Sequence, residues 1–121
     1  KATVSTIKTY PAGTAISYGG IYVTPHKTRI GVIPYGYADG FFRCLSNKCS
    51  IMTAEGPAPQ RGKICMDMCM LDVTGVDVNV GDTVTIFGED PTVSELAGIL
   101  GTIPYEILTS VPRRIERIVV K

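Results

Sequence analysis

The sequence has no tryptophan, a single histidine and few charged residues. Charged side chains make up 19% of its 121 residues, and twelve basic residues against eleven acidic ones give a net charge of +1. Because proteins that bind phosphate backbones need an excess of basic surface, this balance disfavours a nucleic-acid-binding protein. No uninterrupted apolar run of about 18 residues is present, so no membrane-spanning helix is predicted.

Length and composition are those of one average domain. The chain is 45% apolar, which is enough hydrophobic material for a core, and it has no room for a second domain of ordinary size. It begins at Lys1, with neither an initiator methionine nor a signal-peptide pattern. We therefore expect a soluble part of a longer protein.

Four cysteines leave disulfides, zinc and free thiols open. Cys44 and Cys49 have four residues between them, and Cys65 and Cys69 have three, whereas zinc knuckles favour two. The chain is also larger than the small secreted folds that depend on disulfides. We expect reduced, structural thiols and no metal, with a zinc-binding module as the least favoured alternative.

Most of the chain has strand patterns separated by turns rich in glycine and proline. Strands are predicted over 2–9, 14–18, 28–33, 49–53, 82–88 and 115–120, with two short strands or one bent strand over 63–73. A capping-box pattern at 92–95 predicts a helix that ends at Gly101, and Pro104 begins a second short helix. The predicted fold is therefore mostly β, a barrel or Greek-key-like domain with one or two short helices.

Several motifs follow one another along the whole chain. They are ISYG at 16–19, VIPYGYADGF at 32–41, RGKICMDM at 61–68, VGD at 80–82 with IFG at 86–88, GTIPYE at 101–106 and VPR at 111–113. In this order they closely resemble the carboxy-terminal domain of alanine racemases. Residues 1–121 are therefore interpreted as that domain.

This resemblance implies an isomerase that uses pyridoxal phosphate (PLP) to interconvert L- and D-alanine for peptidoglycan. In that family an amino-terminal (β/α)8 barrel holds PLP and the Schiff-base lysine, and the β domain of the neighbouring subunit closes the site. It implies a cytoplasmic homodimer with alanine as substrate. The lysines at 1, 8, 27, 48, 63 and 121 do not lie in a segment like the family's lysine segment. We therefore expect PLP on the missing barrel and an inactive isolated chain.

The resemblance assigns three site residues. Tyr37 matches the catalytic tyrosine, which would act with the barrel lysine as one of two bases on opposite faces of the substrate Cα. Met66 matches the position whose backbone amide meets the substrate carboxylate, and Tyr105 matches the tyrosine that hydrogen-bonds the cofactor phosphate. Without the resemblance, these residues are ordinary: a surface tyrosine, a core methionine and an exposed aromatic of a first helical turn.

Some features depart from the family pattern or leave alternatives open. Lys63 stands where the family commonly has an arginine, and the loop over 46–60 matches poorly, so no residue is carried over from it. Arg113, Arg114 and Arg117 are predicted to form a solvated basic face. The alternative functions are a serine or broad-specificity racemase domain, against which Tyr105 modestly favours alanine, and a non-catalytic dimerisation module.

Overall fold

The structure is a computed structural model that describes residues 1–119. Within this range the strands are β1 (Ala2–Thr3), β2 (Thr6–Tyr10), β3 (Thr28–Ile33), β4 (Ser50–Thr53), β5 (Gly56–Pro59), β6 (Cys69–Asp72) and β7 (Thr83–Val84). The helices are α1 (Val93–Leu100) and α2 (Pro104–Ser110), and short 3-10 turns occur at Tyr18–Gly20, Tyr37–Asp39 and Arg43–Leu45. The mostly β fold with two short helices is confirmed.

The strands form three small antiparallel sheets. The largest has the order β2-β3-β6, and β4 pairs with β5 and β1 with β7. Isolated bridges from Met52 to Thr85 and from Gln60 to Leu71 connect the sheets. Over residues 1–119 these sheets do not close into a barrel, so of the two predicted arrangements only the Greek-key-like one remains.

The core lies between the central sheet and the two helices. β3 is buried along most of its length, as expected for a strand whose apolar residues point to both faces. Ile33 and Leu71, from neighbouring strands, are completely buried. Leu96 of α1 and Ile107 of α2 pack onto the same cluster. Both helices therefore pack on the core, and α2 lies next to the site described below.

Both helices begin and end where local rules predict. The Thr92 hydroxyl accepts a hydrogen bond from the Glu95 amide at 3.1 Å, and α1 ends at Gly101, which has a φ of 74°. Pro104 occupies the first turn of α2, where its missing amide hydrogen costs nothing. Among the described residues no helix is long and apolar enough to cross a membrane.

Four strand predictions are wrong in whole or in part. Residues 14–18 make only an isolated bridge through Ala15, residues 63–68 are irregular, and strand pairing after β7 is limited to the bridge at Thr85. Residues 115–119 are not a strand either, and Val119 is 85% exposed. A β-branched run needs a neighbouring backbone to pair with, and the described residues provide none there. Position 120 lies outside the described residues.

Candidate functional site

Residues 36–40 form a tight turn that carries Tyr37; we call it the tyrosine turn. A carboxylate oxygen of Asp39 accepts a hydrogen bond from the Gly36 amide at 2.9 Å, which closes the turn from inside. Gly40 ends it in the left-handed region, with a φ of 95°. The Tyr37 side chain is 43% exposed, and the Arg43 guanidinium carbon lies 6.0 Å from the centre of its ring. The phenol therefore lies at the surface beside a cation.

The tyrosine turn packs directly on residues 63–66, which we call the Met66 segment. The Tyr37 amide donates to the Cys65 carbonyl at 2.9 Å, and the Ala38 amide donates to the Met66 carbonyl at 2.8 Å. A Cβ at Gly36 would lie 2.2 Å from the Cys65 carbonyl oxygen, so the contact requires glycine. The structure thus brings together the first two of the three predicted site residues, Tyr37 and Met66.

Met66 leaves its own amide available. Among the described residues, no hydrogen bond uses the Met66 amide, although both neighbouring carbonyls are occupied by the tyrosine turn. The Met66 side chain is 54% exposed. An exposed apolar side chain beside a free N–H suits a site that takes a carboxylate and excludes water from it.

A second turn, residues 16–20, also contacts the Met66 segment. Ser17 has a φ of 64° and a ψ of −170°, a region used almost only by glycine, and such strain is concentrated at functional sites. The Ser17 hydroxyl donates to the Lys63 carbonyl at 2.7 Å and lies 3.5 Å from the Cys65 sulfur. Sequence patterns alone predict no role for Ser17 or Tyr18; the ISYG match is the only signal for them.

A positively charged groove lies beside these two turns. It has a volume of about 390 Å³ and is lined by Arg43, Lys48 and Lys63 together with Ile21, Cys44 and Ser46. A Cβ at Gly19 would lie 3.7 Å from the Lys63 ammonium, which places this cation at the second turn. Within residues 1–119 these cations form no ion pair with a carboxylate. The groove therefore favours a negatively charged ligand.

Tyr105, the third predicted site residue, is not in contact with the other two. It lies in the first turn of α2 and is 74% exposed. The opposite end of α2 touches the tyrosine turn, because a Cβ at Gly40 would lie 3.0 Å from the Ser110 carbonyl oxygen. Tyr105 is five residues of helix, a rise of roughly 7.5 Å, away from the Ser110 carbonyl that meets the tyrosine turn.

Tyr35 lies behind the tyrosine turn and differs from Tyr37 in its surroundings. Its ring packs against Phe41 with 5.5 Å between ring centres. Burial, and secondarily the negative charge of Asp39, raises the pKa of Tyr35 to about 12. Tyr35 is therefore harder to ionise than an ordinary tyrosine, and its contact with Phe41 favours a packing role.

The cysteines are thiols of very different exposure. Cys44 is exposed, whereas Cys65 and Cys69 are buried. Burial raises the pKa of Cys49 to about 12 and that of Cys69 still further. Among residues 1–119 there is no group of three or more His, Cys, Asp or Glu side chains arranged to hold a metal ion.

Comparison with protein families and curated proteins gives one consistent result. The family model described as "Alanine racemase, C-terminal domain" matches residues 1–119. The alanine racemase of Aquifex pyrophilus is 40% identical over 121 residues, which are 100% of this chain and 36% of that protein. The alanine racemase of Chlorobaculum tepidum is 49% identical over 116 residues, covering 94% of this chain and 30% of that protein.

Solved structures give the same likeness in three dimensions. Alanine racemase from Bartonella henselae with covalently bound pyridoxal phosphate superposes with a TM-score of 0.91 at 33% identity, covering 96% of this chain and 33% of that one. Alanine racemase from Bacillus anthracis with bound L-Ala-P gives 0.87 at 32% identity, covering 94% and 30%. The chain thus spans about a third of the length of the relatives it matches.

Proposed function

Because this chain belongs to the alanine racemase family, as its carboxy-terminal domain, we propose that it is one part of a PLP-dependent isomerase that interconverts L- and D-alanine. In this proposal residues 1–121 form one domain, and a barrel domain of the partner subunit in a homodimer carries the cofactor and its lysine. The enzyme would work in the cytoplasm and supply D-alanine for peptidoglycan. The isolated chain would be inactive.

The packing of the tyrosine turn on the Met66 segment carries this proposal. Two hydrogen bonds and a glycine-only contact hold Tyr37 beside Met66. The free N–H of Met66 can donate a hydrogen bond to a substrate carboxylate, and the exposed phenol of Tyr37 can transfer a proton. The contact between their segments brings these two groups into one site. Amino-acid racemisation needs a group that orients the substrate and a proton-transfer group within reach of its Cα.

The residues of this chain could contact only the phosphate group of PLP. The exposed phenol of Tyr105 forms no hydrogen bond to another described residue, so it can donate to a phosphate oxygen. The lysines at 1, 8, 27, 48 and 63 are all at least partly exposed, and none lies in a segment like the family's lysine segment. In this proposal the chain supplies a hydrogen-bond donor to the cofactor phosphate, and the covalent link to PLP belongs to another domain.

Bound PLP would withdraw electrons from the amino acid and make its Cα proton acidic enough to remove. The Met66 amide would donate to the substrate carboxylate and fix its orientation, and Arg43 and Lys63 would attract that carboxylate into the groove. Tyr37 would take the Cα proton from one face, or return it there. Inversion requires a second proton-transfer group on the opposite face, which we assign to the barrel lysine.

Tyr18 is a second candidate for the tyrosine base. It begins the 3-10 turn that follows the strained Ser17, and that turn also contacts the Met66 segment. Backbone strain held by tertiary contacts is itself a reason to suspect a functional role there. The test therefore has to compare both tyrosines.

The test uses the full-length parent enzyme with Tyr37→Phe, Tyr18→Phe and, as a matched control in β2, Tyr10→Phe. Loss of the base should lower kcat for alanine by about 10²–10⁴-fold, while the control keeps wild-type kcat. In D2O, the variant without the base should still exchange the Cα proton of one alanine enantiomer without inverting it. Deuterium incorporation measured by NMR separates that outcome from misfolding.

Each possible outcome decides the proposal. If Tyr18→Phe and not Tyr37→Phe blocks inversion, the base is Tyr18 and the assignment of Tyr37 is wrong. If both variants racemise alanine at the wild-type rate, this chain supplies no base, and a non-catalytic dimerisation module explains it better. Racemisation by the 121-residue chain alone with added PLP would refute the need for a barrel domain.

Substrate preference needs a separate measurement. The alternative is a racemase of serine or of several amino acids, since the Met66 amide and the cationic groove recognise a carboxylate that all amino acids share. We expect kcat/KM for alanine to exceed that for serine in the parent enzyme. An equal or higher value for serine would favour the alternative.

A further inference from the structure

The segment over residues 111–117 is tied to the tyrosine turn by Arg114; we call it the C-terminal segment. The Arg114 guanidinium forms an ion pair with Asp39 and also donates to the Ala38 carbonyl at 3.2 Å. Arg114 is 59% exposed, in agreement with the predicted solvated basic face, but its guanidinium also binds this buried carboxylate. One side chain here joins positions that are 75 residues apart in the chain.

Asp39 links Arg114 to the backbone of the tyrosine turn. Its side chain is only 9% exposed, one oxygen accepts the Gly36 amide at 2.9 Å, and the other accepts Arg114. A carboxylate this buried is stabilised by charge-assisted hydrogen bonds and is costly to leave without its cation. Surface ion pairs are weak in general, but here one partner is nearly inaccessible to water.

The C-terminal segment is itself given shape by Arg117. Its guanidinium donates to the carbonyls of Val111, Pro112 and Ile115 at 2.9, 3.3 and 3.1 Å. These bonds curl the chain after α2, so that Arg114 is directed at the turn. Arg117 is exposed, as predicted, and its hydrogen bonds also hold the shape of the segment.

The constraint continues from the turn to the Met66 segment. The backbone amides of Tyr37 and Ala38 bind the carbonyls of Cys65 and Met66, as described above. A change in the angle of the tyrosine turn therefore moves the Met66 segment as well. Arg114 forms no hydrogen bond with Cys65 or Met66, so its influence on Met66 runs through Asp39 and Ala38 of the tyrosine turn.

We propose that Arg114, through Asp39, is a positioning residue that sets the orientation of both the Tyr37 phenol and the Met66 amide. This inference rests on the proposed function for its catalytic consequence, but its structural part does not. The C-terminal segment, 74 residues beyond Tyr37 at its first residue, thereby becomes part of the site.

The structural part is tested by hydrogen–deuterium exchange of the parent protein, read out by mass spectrometry on peptides covering 36–41 and 64–69. Arg114→Gln should speed exchange of those amides about tenfold, because a charge-assisted hydrogen bond to a buried carboxylate is lost. The matched control is Arg113→Gln, which removes the same charge one residue away; among the described residues Arg113 forms no ion pair. Unchanged exchange at both peptides in Arg114→Gln would overturn the proposal.

The catalytic part is tested by kinetics in the same protein. A misplacement of roughly 1 Å predicts a fall in kcat for alanine of about tenfold to a hundredfold in Arg114→Gln. Arg114→Lys should restore part of that loss, since lysine keeps the charge and one nitrogen donor but has neither the reach nor the planar shape of the guanidinium. Asp39→Asn should resemble Arg114→Gln, and the two changes combined should cost little more than either alone.

These outcomes separate the two claims. If wild-type parent protein racemises no amino acid while Arg114→Gln still speeds exchange, the proposed function fails and the positioning contact stands. If racemisation is present and both exchange and kcat in Arg114→Gln equal those of the Arg113→Gln control, the positioning role fails alone. A variant that is globally unfolded is identified by fast exchange in β3 and is replaced by Arg114→Lys as the deciding variant.

Discussion

Replacement of Gly36 by alanine tests how the site is held together. Gly36 has a φ of −140°, which any residue adopts, so conformational freedom does not explain the glycine. The reason is the close approach of the Met66 segment. A Cβ at this position would lie 2.2 Å from the Cys65 carbonyl oxygen and 2.6 Å from the Met66 carbonyl carbon and oxygen.

The size of the effect follows from these distances. Ordinary contacts of a carbon atom lie near 3.5 Å, so the turn and the segment must separate by roughly 1 Å. That separation breaks the two hydrogen bonds from Tyr37 and Ala38, now 2.9 and 2.8 Å, at about 1 kcal/mol each. Overpacking of a fitted contact costs a further 1–3 kcal/mol or so. The expected loss in the free energy of unfolding is therefore about 3–5 kcal/mol.

Urea denaturation followed by circular dichroism measures this loss. A domain of this size should also show a drop in Tm of roughly 10 °C or more in the Gly36→Ala variant. The matched control is Gly98→Ala in α1, where an added Cβ would meet no atom within 4 Å. Because alanine favours helices, the control should gain up to about 1 kcal/mol.

The two glycines therefore predict changes of opposite sign from the same substitution. If the free energy of unfolding of Gly36→Ala lies within about 0.5 kcal/mol of the wild-type value, the tyrosine turn and the Met66 segment do not touch as described. The proximity of Tyr37 and Met66, on which the proposed function depends, would then be refuted as well.

Further predictions concern buried polar and titratable groups. Gln60 is fully buried, and its carboxamide forms hydrogen bonds with three backbone groups. Gln60→Leu should lower the free energy of unfolding, measured by urea denaturation, by about 2–4 kcal/mol. A loss under about 0.5 kcal/mol would contradict this. Burial raises the pKa of both Cys49 and Tyr35 to about 12, against about 8.5 and 10 unfolded, so the folded chain holds protons that the unfolded chain loses. The contribution of these two groups to the free energy of unfolding is therefore fully present below about pH 8.5 and should be lost as the pH rises towards about 12. A constant urea midpoint across that range would refute this. Iodoacetamide with peptide mapping should label the exposed Cys44 first and the buried Cys69 only after unfolding, and equal labelling would be inconsistent with the fold.

Some of the fold was predictable because it depends on neighbours in sequence. Thr92, Gly101 and Pro104 mark helix ends through bonds and angles within one turn, and both helices occur where these residues predict them. The order of short motifs identified the family for a similar reason, since it needs no knowledge of which segments meet. Tyr37, Met66 and Tyr105 were assigned in this way as site residues, and those assignments stay predictions.

Other features were not predictable because strand patterns do not state their partners. The run over 115–119 has β-branched residues, yet it remains unpaired among the described residues, whereas β6 pairs with β3. Strand formation depends on a second backbone supplied from elsewhere in the chain. For the same reason, the strand patterns were compatible with a closed barrel but did not reveal whether the sheets close.

Three things follow from the order of residues without any knowledge of tertiary contacts: the family, the helix ends and the chemical groups available for the site. Tertiary structure alone decided which of them meet: it placed Tyr37 on the Met66 segment, strained Ser17 against Lys63 and tied Arg114 to a buried Asp39. Local rules act over a few residues, through dihedral angles and nearby hydrogen bonds. These contacts join residues tens of positions apart, so they exist only once burial of the core has brought distant segments together.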